Sequence, residues 1–331
     1  MPLSRFAADA FGVVTIFLVA SLILLGLLCI AHSFYFLARV RNQKLFKLTY
    51  FSGPWIIRIT FILLVIIWSF GELLRLTLLR RKGRAFDSLT LKWQETVCKG
   101  YILSNLGFAE PSLFLTLAFL LRAPLQKSQP GILSRKWNGK TAAFVLAFCS
   151  PVFLLQLLLI RKYPSSISAL PLYFTISSTL VRRNKAEVAL CTYPLLNTLL
   201  LGLFSVIIIS YLFWLGRRIL KLVINKSLQK RVYLLIISVS SFLPMRVLLL
   251  GLSVLSQPEY LLFEILAFLA FFSLSCCAGI CICMLVYFPV ADALALRGLR
   301  EVQAAAESEV ISLLADADAD ALRFAELSLM A

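Results

Sequence analysis

The sequence predicts an all-α integral membrane protein: a bundle of seven transmembrane helices, N-terminus outside and C-terminus cytoplasmic. Three observations carry this expectation. The chain is 60% hydrophobic with 26 phenylalanines and a mean hydropathy of +0.91, and its apolar runs are too long and too frequent for a soluble domain. Seven of these runs reach the roughly 20 residues that a helix rising 1.5 Å per residue needs to cross about 30 Å of hydrocarbon. Most of the 33 Lys and Arg residues, set against 16 Asp and Glu, fall between the runs. There they read as topology signals and partners for membrane lipid headgroups, not as nucleic-acid contacts.

Each span follows in order. The first, 11–36, opens on an uncharged stretch from Phe11 to Ala31, longer than a signal-peptide core, and reads as a retained span. The second, 54–79, carries Arg58 near its inner end, where it can snorkel, and Glu72 and Arg75 near its outer end. Those two are three residues apart on one helical face and can pair with each other. The third, 101–121, holds Glu110 followed by Pro111. The fourth, 141–160, and the fifth, 188–216, hold no charge. The sixth, 232–257, holds Arg246 two residues after Pro244, and the seventh, 260–289, holds Glu264. Backbone groups in lipid must be bonded internally, and short alternating strands are not read anywhere, so all seven are expected as helices. No internal repeat is visible, which weakens a transporter built from duplicated halves.

Orientation follows from the connections. Loops one, three, five and the C-terminal tail hold 18 Lys and Arg, against 12 in the N-terminus and loops two, four and six. Loop five has six bases and no acid, loop six has no base, and this pair places the N-terminus outside. The sequon Asn225-Lys226-Ser227 then lies on the inside and is expected to be unused. Residues 290–331 hold eight acids and three bases. The expected organisation is a transmembrane domain over 1–300 and an acidic, largely disordered cytoplasmic tail over 301–331. The stretch VADALALRGLR can also lie on the inner leaflet, with Leu294, Leu296 and Leu299 toward lipid and Arg297 and Arg300 toward headgroups.

Buried charge marks the candidate site. Arg246 lies 14 residues past Val232, about 21 Å from the inner surface and about 9 Å below the outer one. An arginine facing lipid at that depth costs several kcal/mol, so it must face the bundle interior. Two carboxylates lie near its depth, Glu110 at about 13 Å and Glu264 at about 6 Å below the outer surface. Either is a candidate partner. Pro111 and Pro244 remove helix hydrogen bonds beside these charges and leave carbonyls that can line a polar cavity. Asn105, Tyr193 and Asn197, with Tyr101, are candidate walls of an outward-facing ligand pocket. The same residues read equally as a structural network that fixes helix packing. Cys98 and Cys191 fall at outer helix ends, in the oxidising compartment, either bridged or as two free thiols.

Several chemistries find no residues. One histidine, His32, cannot supply a zinc hydrolase's ligand set, and the seventh span has no lysine for a Schiff-base chromophore. No Gly-rich phosphate cradle or nucleophile elbow is present. An enzyme is not expected, nor a cofactor or metal.

The stretches YFSGPWIIRITFIL (50–63), SNLGFAEPSLFLTLAFLLRAPL (104–125), EVALCTYPLLNT (187–198), YLFWLGRRILKLVINKSLQKRVY (211–233), SSFLPMRVL (240–248) and YFPVADALALRGLR (287–300) resemble the plant candidate G-protein-coupled receptors. That group is similar to the adipocyte-associated seven-span membrane protein of animals. The resemblance implies a plasma-membrane receptor coupled to a heterotrimeric G-protein α subunit, with melatonin as the ligand proposed within the family. The chain departs from rhodopsin-like receptors at FLLRAPL, where no acid precedes Arg122, and at LVYFPV in place of Asn-Pro-x-x-Tyr. On this reading Arg217, Arg218, Lys221, Lys230, Arg231, Arg297 and Arg300 crowd a cytoplasmic face that serves a partner or the anionic leaflet. A ligand-independent scaffold for cytosolic proteins is the second expectation, and a transporter the third.

Overall fold

The computed structural model describes residues 5–41, 55–76, 90–122, 133–166, 174, 177–183, 186–222, 226–258, 260–292, 294, 295, 298 and seven further residues between 302 and 314. Among the described residues, seven helices are long and apolar enough to cross a membrane. They are α1 (Arg5–Arg41), α2 (Trp55–Arg75), α3 (Leu91–Arg122), α4 (Leu133–Ser166), α5 (Leu195–Leu222), α6 (Lys226–Leu255) and α7 (Leu261–Ile282).

The helices close into a ring. Successive helices pack on one another except α4 on α5, which touch lightly, and α1 returns onto α7. Helix α3 is drawn inward, touching α2, α4 and α5, with 72% of its most apolar window buried against 11% for α4. This explains why α3 is the least hydropathic of the seven: a helix enclosed by other helices can carry polar groups that find protein partners. Helix α4 instead exposes Phe144, Phe148, Leu154 and Leu158, a surface that water would not tolerate over so long a stretch.

The ends of the spans differ from expectation in a consistent way. Helix α3 begins ten residues before position 101, because Leu91 to Gly100 continue the same helix beyond the apolar run. Helix α5 begins at Leu195 instead of 188. Residues Ala186–Cys191 form strand β2, antiparallel to β1 (Ser178–Arg183), with Ser178 opposite Cys191 and Arg183 opposite Ala186. Hydropathy alone cannot separate the apolar end of such a strand from the start of a helix. Pro194 marks the true boundary: it lacks an N–H, and its carbonyl accepts the first helical bonds from the Asn197 and Thr198 amides. So the expectation of no strands is corrected by this hairpin.

Two π-helical turns interrupt the bundle, Asn105–Ala109 within α3 and Cys283–Tyr287 after α7. Contacts divide the chain into two compact units, residues 1–286 and 287–331. In the second unit, the described residues between 302 and 314 are helical and exposed, where the sequence predicts disorder. No Gly or Pro follows Gly298, and the run is rich in Ala, Leu and Glu, residues of high helix propensity. Arg297, Arg300, Asn225 and residues 315–331 lie outside the described residues.

A buried ion network at one end of the helix ring

Alternating helix direction brings the end of α2, the starts of α3, α5 and α7 and the end of α6 to one end of the ring. The charged side chains of the spans meet there. Arg246 donates from Nε to Glu110 Oε1 at 3.0 Å and from Nη2 to Glu72 Oε1 at 3.0 Å, and Nη2 also reaches Glu110 Oε1. Arg75 Nε lies 3.5 Å from Glu72 Oε2, and its Nη1 lies 3.8 Å from Glu264 Oε2. The result is one alternating chain, Glu110, Arg246, Glu72, Arg75 and Glu264, carried by α3, α6, α2 and α7. Arg246 is 1% exposed and both Glu72 and Glu110 are 0% exposed.

Of the two candidate partners, Glu110 is the one that Arg246 meets. Glu72, expected only as a partner of Arg75, is a second, and Glu264 instead lies near Arg75. The reason lies in depth. Glu264 sits in the first turn of α7, level with Arg75 at the last turn of α2, whereas Glu72 sits one turn deeper, within reach of Arg246. Glu72 and Arg75 do pair, as their spacing predicts, but each also has a partner on another helix.

Trp68 was not singled out by the sequence, yet it completes the network. One turn from Glu72 on α2, it donates Nε1 to Glu110 Oε1 at 3.2 Å. The Arg246 guanidinium carbon lies 5.3 Å from its ring centroid, a cation–π contact. Its other side stacks on Phe271 of α7, with centroids 5.8 Å apart. A tryptophan in an apolar run gives no sign of this role except its place four residues before a buried acid.

The π turn of α3 explains the polar residues beside Glu110. The Glu110 amide bonds to the Asn105 carbonyl, five residues back, so the Leu106 carbonyl loses its ordinary donor. The next residue, Pro111, has no N–H to offer. Gln156 of α4 supplies the missing donor through Nε2, 3.4 Å from the Leu106 oxygen, and is itself 0% exposed. A lone glutamine in an otherwise apolar span was the available signal, and the sequence reading passed over it. Asn105 turns the other way and donates Nδ2 to the Trp68 carbonyl at 3.0 Å. That approach requires Gly71, where any Cβ would collide with the Asn105 amide.

Gly71→Ala is accordingly expected to destabilise the purified protein by about 1–3 kcal/mol, the cost of overpacking a close contact. Asn105→Ala removes the colliding group, so the double variant should unfold at a higher temperature than additivity of the two single losses allows. Thermal unfolding in detergent measures this directly, and additive losses would remove Asn105 as the reason for the glycine.

The remaining candidates divide. The Tyr101 and Tyr193 hydroxyls are 3.0 Å apart and buried, joining α3 to the residues that lead into α5. Asn197 is 1% exposed, and its side-chain nitrogen has no hydrogen-bond partner among the described residues; no hydrogen bond ties it to the ion network. Cys98 of α3 and Cys191 at the end of β2 form a disulfide, with Cα atoms 5.2 Å apart. Beside it, the Ala189 amide donates to Gln94 Oε1 at 3.1 Å. The hairpin is thereby fixed to α3 by a covalent and a hydrogen-bonded tie. At the opposite end of the ring, Arg217, Arg218 and Lys221 of α5 and Lys230 of α6 are exposed, and Arg231 is half-buried. Among the described residues, no group of three or more His, Cys, Asp and Glu side chains could hold a metal ion.

Residues 1–303 match the family model described as uncharacterised conserved protein UCP031277. No curated protein matches the chain.

Proposed function

The chain belongs to the uncharacterised conserved protein family UCP031277, and from the buried ion network we propose that it is a seven-span plasma-membrane receptor. In this reading the disulfide-bridged end and the N-terminus face outside, because a bridge persists in an oxidising compartment. The basic ends of α5 and α6 face the cytoplasm, in keeping with the bias of Lys and Arg toward that side. The single observation that carries the proposal is Arg246 shared between Glu110 and Glu72. A charge cluster this deep is costly to maintain and in membrane proteins marks function more often than packing.

Two weakened helix segments support a switch in this reading. Arg246 lies two residues past Pro244 and Glu110 directly follows a π turn, so both sit where backbone bonding is weakened and helices bend most readily. All three donors to Glu110 converge on Oε1, and Oε2 has no hydrogen-bond partner among the described residues. A polar ligand entering from the outer end and bonding this carboxylate would compete with Arg246 and loosen α6 from α2 and α3. Differential binding of that kind is what shifts a two-state equilibrium. The resemblance noted above supports melatonin as the first probe and a heterotrimeric G-protein α subunit as the partner.

A specific observation also favours a second reading, a scaffold that recruits cytosolic proteins without a ligand: the network is closed, with Glu72, Glu110 and Arg246 at 0–1% exposure. Reconstitution with a G-protein α subunit separates the two. The receptor reading expects melatonin to accelerate nucleotide exchange, and Arg246→Lys, which keeps the charge but loses the planar fork, to alter the basal rate. Exchange that ignores both ligand and variant, with the α subunit still bound, supports the scaffold instead.

A further inference from the structure

We propose that the C-terminal end of α5 holds an anionic phospholipid, its phosphate on Arg217, Arg218 and Lys221 and its acyl chain along the exposed apolar face of the same helix. The inference rests on the membrane-spanning reading but not on the receptor reading. A shallow open groove of about 740 Å³ is lined, among the described residues, by Ser210, Phe213, Trp214, Arg217, Arg218 and Lys221. At 100° per residue, positions 210, 214, 217 and 221 fall within about 60° of one another, and 218 lies beside them. Three bases thus project from one face, and no acidic side chain lines the groove among the described residues.

The same face continues toward the middle of α5. Leu203, Val206 and Ile207 share it by helical spacing and are each about 60% exposed, an apolar strip of about one turn, with Ser210 and then Trp214 following it on the same face. An apolar strip, then an indole, then bases, read in that order along one helix, is the sequence of environments from acyl chain to interface to headgroup. A soluble phosphate would use the bases and leave the strip idle. A cytosolic protein partner would use the bases but lies outside the hydrocarbon where the strip must be covered.

Arg218 is also held in place. The Arg218 guanidinium carbon lies 5.7 Å from the Trp214 ring centroid, and Trp214 in turn stacks on Tyr211 with centroids 5.9 Å apart. Arg217 and Lys221, four residues apart, are neighbours on the helix surface at about 5–6 Å between Cβ atoms, close enough for two donors to share one phosphate. Arginine supplies a planar fork and lysine a point charge, the combination commonly used for phosphate.

The test uses the full-length protein in nanodiscs of phosphatidylcholine with a minor fraction of phosphatidylinositol 4-phosphate, with retained lipid read by native mass spectrometry. Wild type should retain the anionic lipid in preference to phosphatidylcholine. Each base replaced by glutamine should weaken retention about fivefold, so that the R217Q/R218Q/K221Q variant loses it on the order of a hundredfold. Trp214→Leu keeps the apolar strip but removes the cation–π support, and a two- to fivefold loss is expected, roughly; with Lys221→Gln it keeps the test alive if the triple variant does not fold. The control K140Q/K226Q, two exposed bases outside the groove, should retain lipid like wild type. An equal loss in the control overturns the proposal in favour of diffuse attraction to the bilayer. Full displacement by soluble inositol 1,4-bisphosphate overturns it in favour of a free-phosphate site. Unchanged lipid retention in the triple variant with lost binding of a G-protein α subunit overturns it in favour of a protein-docking face.

Discussion

Arg246→Leu is expected to lose about 3–5 kcal/mol of stability, because among the described residues it strips the only guanidinium from Glu110 and one of two from Glu72 while both carboxylates stay buried. The physical asymmetry matters here. Forming a buried pair repays a large desolvation cost and nets little, but removing one partner leaves the other uncompensated. The expected result is a marked fall in folded protein delivered to the membrane and a lower unfolding temperature in detergent. Adding Glu110→Gln should recover part of the loss, since the amide keeps an acceptor for Trp68 without a buried charge. Three carboxylates face two guanidiniums in the network, so removing a carboxylate is also expected to harm the bundle less than removing an arginine.

Replacing Cys98 and Cys191 together with serine is the second large effect. The bridge spans a sequence separation of 93 residues, and closing a loop of that size contributes about 4–5 kcal/mol in the chain-entropy model. The loop contains all of α4 and the hairpin, so its release is expected to expose β1 and β2 to proteolysis before the helices unfold. The hydrogen bond from the Ala189 amide to Gln94 then remains as a polar tie between the hairpin and α3. Limited proteolysis of oxidised and reduced protein checks this: cleavage in 177–191 only after reduction is expected, and equal cleavage in both forms would mean that the bridge does not hold the hairpin.

The seven helices were legible because length and apolarity are one-dimensional properties: nothing else in a sequence produces about 20 predominantly apolar residues seven times over. The positions of Arg246, Glu110, Glu72, Arg75 and Glu264 were legible for the same reason, since each interrupts such a run. Their pairing was only half legible. Depth along a helix follows from residue count, but which helices are neighbours at that depth does not, so Glu110 and Glu264 stand as alternatives in the sequence and Glu72 on α2 is not among them. The π turn left a partial trace, Pro111, which shows that a carbonyl loses its donor but not that Gln156 replaces it. Trp68 left only its spacing from Glu72, because an indole in an apolar run looks like packing until its N–H is seen to point at a carboxylate. The hairpin before α5 was hidden by hydropathy, as Val188 to Leu190 continue smoothly into Pro194 and the helix behind it.

The claim at the centre of this account is that Arg246 is shared by Glu110 and Glu72 and joins α6 to both α2 and α3. Double-mutant cycles test it most directly, pairing Arg246→Leu in turn with Glu110→Gln, Glu72→Gln and Glu264→Gln and measuring unfolding free energy in detergent. The account expects coupling of about 2–3 kcal/mol with Glu110, a smaller but clear coupling with Glu72, and additivity within about 0.5 kcal/mol for Glu264. Coupling that is largest with Glu264, or additive with all three, would contradict it.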